Sequence, residues 1–242
     1  MDEEEDENEN ENLAEIDLRD TGYLNPVKNQ EQGECCYAFV VCEAIEYLHH
    51  KQGGKRVLLS PQDLYNNQAY NPNAIVQDHG QRINQTLNWI IYNGCVLEAS
   101  CPYTGILQPP RPLWDREVRL RIGAYIPIEL ENIEAYIRRK REPVMVTLDW
   151  IDEMADLGDE DEIYSGPVDA AAFDKAEGHN LLIVGFGPDY WLVQNSHGTG
   201  WGNGGYAKFT RGQVHGRFLI DEGWAAAGIT YEDLNQNAYP AL

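Results

Sequence analysis

Between Cys36 and Lys51 the apolar side chains Cys36, Phe39, Val40, Ala44, Tyr47 and Leu48 recur at helical spacing, which places them on one face of a helix. Gln52-Gly53-Gly54 ends that helix, since glycine adopts the left-handed turn at which a helix stops. Ser60-Pro61-Gln62-Asp63 opens a second helix. The Ser60 hydroxyl caps it, proline is pre-set for the first helical position, and Asp63 supports the cap. Ile83, Leu87, Ile90 and Ile91 share one face of a third helix running to about Tyr92, closed by Gly94. Ile133 to Lys140 forms a short amphipathic helix with Ile133 and Ile137 inward. After Pro143 the period changes from helical to alternating: Val144, Val146 and Leu148 face one way. Residues 181–187 and 190–194 predict two strands joined at Gly187-Pro188-Asp189, and residues 206–209 predict another. A helical first half and a strand-rich second half make an α+β chain.

The length of 242 residues suits one domain, or two halves packed across a cleft, with a sizeable core. Hydrophobic content of 43% is that of a globular chain. A formal net charge of −22 and a pI near 4.5 exclude a nucleic-acid partner, whose phosphates would be repelled. No run approaches the roughly 18 apolar residues that span a bilayer, so no membrane partner is expected. Residues 1–12 carry eight acidic side chains and almost nothing to bury. The expectation is a solvated, disordered tail over residues 1–13 and a domain over 14–242. A second acidic run, from Asp149 to Glu162, holds eight carboxylates and reads as a solvated loop.

The candidate chemistry lies in three separated stretches: Asn29-Gln30-Glu31-Gln32-Gly33-Glu34-Cys35-Cys36, Gly178-His179-Asn180, and Asn195-Ser196-His197-Gly198-Thr199-Gly200-Trp201-Gly202. They offer a thiol, an imidazole and a carboxamide. Nucleophilic acyl transfer uses that set: the thiol attacks, the imidazole holds and returns the proton, and the amide orients the ring. His179 follows Cys36 by 143 residues and Asn195 by 159. Thiol peptidases with the nucleophile near the mature N-terminus place His and Asn roughly 130–150 residues downstream. Cys36 is preferred over its neighbours because the first turn of a helix carries the positive end of the dipole, which favours thiolate. Cys42, in mid-helix, is a packing residue. Cys35, beside the nucleophile, is read as a filler, with a redox role as the alternative.

At these residues, from about Ile16 to about Gly212, the chain resembles the papain family of cysteine peptidases. The likeness includes Pro26-Val27-Lys28-Asn29-Gln30, Leu59-Ser60-Pro61-Gln62-Asp63-Leu64, Cys101-Pro102-Tyr103, Pro143-Val144 and the run from Asn195 to Gly202. The resemblance implies a two-lobed fold: a helical lobe over about residues 25–110 and a β-barrel-like lobe over about 111–220, with the cleft between them. It implies a cysteine endopeptidase with Cys36, His179 and Asn195 as the catalytic set, and with the Gln30 side chain and the Cys36 N–H as oxyanion donors. Gly80, Gln81, Arg82, Ile83, Thr147, Asn180 and Trp201 are the implied substrate-facing residues. Arg82 there hints at tolerance for an acidic or polar substrate side chain. The implied partners are a peptide or protein substrate and a cystatin-type or other protein inhibitor. No cofactor or metal is implied.

The departures from the family pattern shape further expectations. Glu34 stands where the family has glycine, adding a charge that opposes thiolate formation. His197 replaces the tryptophan that shields the Asn–His hydrogen bond, so water could compete for it; Trp201, a second shield, remains. Gln81 stands where a glycine usually meets the substrate backbone. Asp78-His79-Gly80-Gln81 replaces the family's Cys-Asn-Gly-Gly, and Gly33 with Asp78 occupies both ends of one family disulfide. Val168 occupies one end of another, while Cys95 and Cys101 could pair locally. Neither a signal segment nor the family's helical propeptide is recognised in the chain, which together with the lost disulfides suggests a reducing, cytosolic compartment, against the lysosomal, vacuolar or extracellular location that the family resemblance implies. The alternative to the enzyme is a papain-fold binding protein without turnover.

Overall fold

Every residue of α1 (Cys36–Lys51) from Cys36 to Leu48 is buried. The helix is therefore enclosed on all sides rather than resting one stripe on a core, which is why its sequence is apolar nearly all round. The computed structural model describes residues 14–71, 73, 80–112, 118–158 and 162–233. The acidic tail of residues 1–13, Asp78 with His79, and Asp159, Glu160 and Asp161 lie outside the described residues.

The other predicted helices are α2 (Pro61–Ala69), α3 (Ile83–Asn93) and α4 (Ile133–Lys140). The Ser60 hydroxyl accepts the Asp63 N–H at 2.9 Å, the cap read from the sequence. Short strands β1 (Ile16–Asp17), β2 (Cys95–Val96) and β3 (Val118–Arg121) accompany them, followed by β4 (Ala124–Ile128), β5 (Val144–Trp150), β6 (Ile163–Tyr164), β7 (Glu177–Phe186), β8 (Tyr190–Gln194), β9 (Tyr206–Thr210), β10 (Ile220–Ala227) and β11 (Thr230–Asp233). Among the described residues the large sheet runs β4-β10-β5-β7-β8-β9-β6, with β1 added on β7, and a smaller one runs β11-β3-β2. Gly185 permits the β1 contact: a Cβ there would lie 2.3 Å from the Ile16 carbonyl oxygen. β7 begins four residues earlier than the sequence indicates. Its polar start, Glu177-Gly178-His179-Asn180, pairs in register with Trp150, Asp149, Leu148 and Thr147 of β5, so ladder bonds override a weak local signal.

All five cysteines are free. Cys95 faces Cys42, with the sulfurs 3.9 Å apart, rather than Cys101. A Cβ on Gly33 would meet the Tyr103 hydroxyl at 2.6 Å, so the tyrosine fills the space where a cysteine would extend. That hydroxyl donates to the Gln30 carbonyl at 2.6 Å and sits 3.3 Å from the fully buried Cys35 sulfur, the filler role expected of Cys35.

Two carboxylates of α1 are buried. Glu46 accepts from Lys28 at 2.5 Å, from the Leu59 N–H at 2.6 Å and from Asn25 at 2.7 Å. Burial lowers the Lys28 pKa, but the Glu46 charge and hydrogen bond together with the other neighbouring acidic groups raise it on balance. Glu43 Oε1 accepts no hydrogen bond, and burial pushes this carboxyl up to about 8. The unfolded chain releases that proton near the ordinary carboxylate value of about 4.3, whereas the folded protein keeps it to about 8. The unfolded state therefore binds fewer protons across that window, and stability falls as pH rises through it. Glu43→Gln is expected to leave thermal stability unchanged at pH 4 and to raise it at pH 8 by roughly 2 kcal/mol, about 4–8 °C in Tm. Melting curves of both proteins at the two pH values check this.

Candidate active site

The first turn of α1 brings Cys36 to the floor of an open cleft of about 1030 Å³, which is also lined by Glu34, Gly80, Gln81, Arg82, Gln85, Thr147, Glu177, Gly178, Asn180 and Glu222. The expected residues Gly80, Gln81, Arg82, Thr147 and Asn180 thus gather around the thiol. Ile83 does not line the cleft: it is fully buried in the core as the first residue of α3. Trp201 is also buried, and its indole N–H donates to the Met154 carbonyl at 2.8 Å. It lies behind the site rather than on a substrate-facing surface.

His179, on β7, is buried and its Nε2 lies 2.8 Å from Asn195 Oδ1. The Ser196 backbone N–H also donates to that Oδ1, at 2.8 Å. A backbone N–H only donates, so the atom is the amide oxygen, and Nε2 carries the imidazole proton. Nδ1 is left as the basic nitrogen. Burial pulls His179 down to about 4, against the opposing pull of the Asn195 bond. Burial pushes the Cys36 thiol up, opposed by hydrogen bonds from Asn180, while the Glu34 charge pushes it further up. Among the described residues no hydrogen bond joins Cys36 to His179. The sulfur accepts instead from Asn180 Nδ2 at 3.1 Å. Desolvation opposes the charged form of each group, the thiolate of Cys36 and the imidazolium of His179.

Gln30 belongs to a loop that crosses to the sheet. Its backbone N–H donates to the Ser196 carbonyl at 2.7 Å, and the Gly198 N–H to the Lys28 carbonyl at 2.9 Å. The Gln30 side chain is held at both ends: Oε1 accepts from the Ser196 hydroxyl at 2.6 Å, and Nε2 donates to the Gly33 carbonyl at 2.8 Å. A primary amide has two N–H groups, so one remains for a ligand. The Cys36 N–H, in the first turn, has no intrahelical acceptor.

Sequence reasoning missed Trp150. Its ring lies 4.6 Å from His179, 5.1 Å from His197 and 6.1 Å from Trp201. The indole cover that His197 lacks thus comes from the end of β5. His197 is itself half-buried, and burial followed by its proximity to His179 brings it down to about 4, a neutral ring. Trp150→Ala is expected to lower kcat by about 10-fold, because water gains access to the His179–Asn195 bond. His197→Ala should change kcat less. Steady-state kinetics of the two variants on one peptide check the order. Glu177 and Glu222 were also missed, since they reach the cleft only through the register of β7 and β10.

The acidic run is more structured than a free loop. Met154 is buried, the Leu157 carbonyl accepts from the Gly202 N–H at 2.7 Å, Tyr164 donates to Glu153 at 2.7 Å, and Asp149 pairs with Arg217. Among the described residues no group of three or more His, Cys, Asp and Glu could hold a metal ion.

The chain and its fold are matched in known proteins. Cysteine proteinase A of Leishmania mexicana is 33% identical over 213 residues, covering 83% of this chain and 56% of that protein. Macrodontain-1 of Ananas macrodontes is 30% identical over 209 residues, covering 83% of this chain and 90% of that protein. The chain spans about half the length of the Leishmania relatives it matches. A crystal structure of an inhibitor-bound cysteine protease from Carica candamarcensis superposes with a TM-score of 0.74 at 24% identity, over 89% of this chain and 99% of that one. The description of the papain family cysteine proteases matches residues 13–225. This chain belongs to the papain family.

Proposed function

We propose that the chain is a cysteine-type endopeptidase that hydrolyses peptide bonds with Cys36, His179 and Asn195, with Gln30 as an oxyanion donor. The observation that carries this reading is the imidazole proton fixed on Nε2 by Asn195, which leaves Nδ1 basic on the strand beside a thiol at a helix N-terminus. Burial disfavours the charged form of each partner, so in this reading the proton moves as the reaction begins. Cys36 Sγ attacks the scissile carbonyl while its proton passes to His179 Nδ1. The developing oxyanion takes the remaining Gln30 N–H and the Cys36 backbone N–H. His179 then gives the proton to the departing amine, leaving a thioester. Water, deprotonated by His179, hydrolyses the thioester and restores the thiol.

Titration with an epoxide-type thiol inhibitor tests the reading. One equivalent should react irreversibly and abolish peptide hydrolysis, and Cys36→Ala should not react. A protein that binds peptides yet neither reacts nor hydrolyses would be the binding protein instead.

The cleft also supports a charge preference. Among the described residues Glu34, Glu177 and Glu222 line it together with the guanidinium of Arg82. That balance favours Lys or Arg in the substrate near the scissile bond over the acidic side chain suggested by Arg82 alone. A peptide library profiled at low and high salt is expected to show the preference weaken as ionic strength rises, because exposed charges are screened over about 8–10 Å at physiological salt. Equal use of acidic and basic peptides at low salt would remove this part of the reading.

A further inference from the structure

The reactive sulfur has a partner that the mechanism above does not use. Asn180 Nδ2 lies 3.1 Å from Cys36 Sγ, and both side chains are buried. The other end of the same amide is tied to the neighbouring strand, where Thr147 Oγ1 lies 3.0 Å from Asn180 Oδ1. Thr147 and Asn180 are direct partners in the β5–β7 ladder, so the threonine is presented to the amide by the sheet itself. Two proton arrangements fit these distances. In one, the hydroxyl donates to Oδ1 and the amide donates to sulfur. In the other, the amide donates to the hydroxyl and the thiol donates to Oδ1. The first stabilises a thiolate and the second a thiol. The backbone N–H groups of Asn180 and Tyr37 also bond towards the sulfur and lower its pKa. A backbone N–H only donates, so the sulfur is placed as an acceptor, and the Thr147 hydroxyl is a stronger donor to Oδ1 than a thiol would be; both favour the first arrangement.

We propose that the Asn180 carboxamide, locked by the Thr147 hydroxyl, is a hydrogen-bond donor to the Cys36 thiolate, so that Asn180 is a further catalytic residue and Thr147 its positioning residue. The inference rests on Cys36 being the nucleophile. Its physical role follows from the surroundings of the sulfur. Glu34 precedes the thiol on its own loop. Glu177 lines the same cleft from β7 and Glu222 from β10, with Arg82 opposite at the start of α3 and His179 neutral on β7. Burial and the Glu34 charge oppose a negative sulfur, and among the described lining residues carboxylates outnumber guanidiniums. A neutral donor in contact with sulfur offsets that bias without adding a charge that substrate would have to displace. As sulfur bonds to the substrate carbon, it loses its negative charge and the amide bond to it weakens. The donor therefore holds the nucleophile before attack and releases it afterwards.

The test is the pH dependence of Cys36 alkylation by iodoacetamide, read by mass spectrometry of the peptide that carries Cys35 and Cys36. Asn180→Leu is expected to move the apparent thiol pKa up by about one unit, the scale of a hydrogen bond to a charged group, and to slow alkylation at pH 7 by about 10-fold. Thr147→Val should move it in the same direction by less, since the amide is freed to turn but not removed. Asn180→Gln should restore part of the shift if its longer amide reaches the sulfur. Thermal melts run beside each variant identify any that fails to fold. If Asn180→Leu and Thr147→Val are folded and their alkylation profiles match the parent, or move down, the proposal is overturned and Asn180 is only a wall of the cleft. If the Cys36→Ser protein is labelled as fast as the parent at that peptide, the nucleophile itself has been misassigned, whatever the Asn180 variants do.

Discussion

His179→Ala should lower kcat/KM for peptide hydrolysis by roughly 10⁴-fold or more, as should Cys36→Ser. In the proposed mechanism the imidazole takes the thiol proton during attack and supplies it to the departing amine, so its loss removes both transfers. Burial disfavours both charged forms: it brings His179 to about 4 and pushes the thiol up. Without a basic Nδ1 nearby, that thiol has no route to its reactive form at neutral pH. The two groups act as one unit, so the double variant should be little worse than either single one. Asn195→Ala should cost less, because it removes the restraint on the ring rather than the proton carrier. Initial rates on a single fluorogenic peptide, with titration of reactive sites, measure all four. An inactive Cys35→Ser beside an active Cys36→Ser would move the nucleophile by one position. The geometry speaks against that, since Cys35 is fully buried against Tyr103.

The groups in this argument were legible to very different degrees. Cys36, His179 and Asn195 were read from residue type and spacing and Gln30 from the family resemblance, and the helices that carry or flank them announce their ends: Ser60 and Pro61 at one start, Gly94 at one stop. α1 and α4 also have the predicted limits, read from the Gly53-Gly54 stop and from the spacing of Ile133 and Ile137. The strands were less legible. β10 reads Ile220-Asp221-Glu222-Gly223-Trp224-Ala225-Ala226-Ala227, without alternation, because its centre is packed by closeness rather than by side-chain bulk. A Cβ on Gly223 would sit 2.9 Å from the Ile128 carbonyl oxygen. Asn180 and Trp150 were harder still. One was placed at the cleft wall without its bond to sulfur, and the other stood unnoticed at the edge of an acidic run. Both acquire their roles from strand register, in which Thr147 meets Asn180 and Trp150 meets Glu177. Register is a property of two segments about thirty residues apart, and no local period encodes it.

Gln30→Ala is expected to lower kcat by about 10²–10³-fold with little change in KM, which corresponds to about 2.7–4 kcal/mol of transition-state stabilisation. The reason lies in how the amide is fixed. Ser196 Oγ–H holds Oε1 at 2.6 Å and the Gly33 carbonyl holds one N–H at 2.8 Å, so the second N–H is oriented before substrate arrives. A donor that needs no reorientation stabilises charge as it develops, which is a transition-state effect rather than a binding one. Truncation also strands the Ser196 hydroxyl and the Gly33 carbonyl, so some loss of stability is expected alongside the loss of rate. Two controls separate these effects. Ser196→Ala leaves the donor in place but releases its far end, and should lower kcat by a smaller factor, about 10-fold. Gln30→Glu keeps the shape while replacing the donor with a carboxylate that repels the oxyanion, and should be at least as slow as Gln30→Ala. Full activity in a folded Gln30→Ala protein would leave the buried glutamine as a brace between the α1 loop and Ser196, with the oxyanion stabilised by other donors.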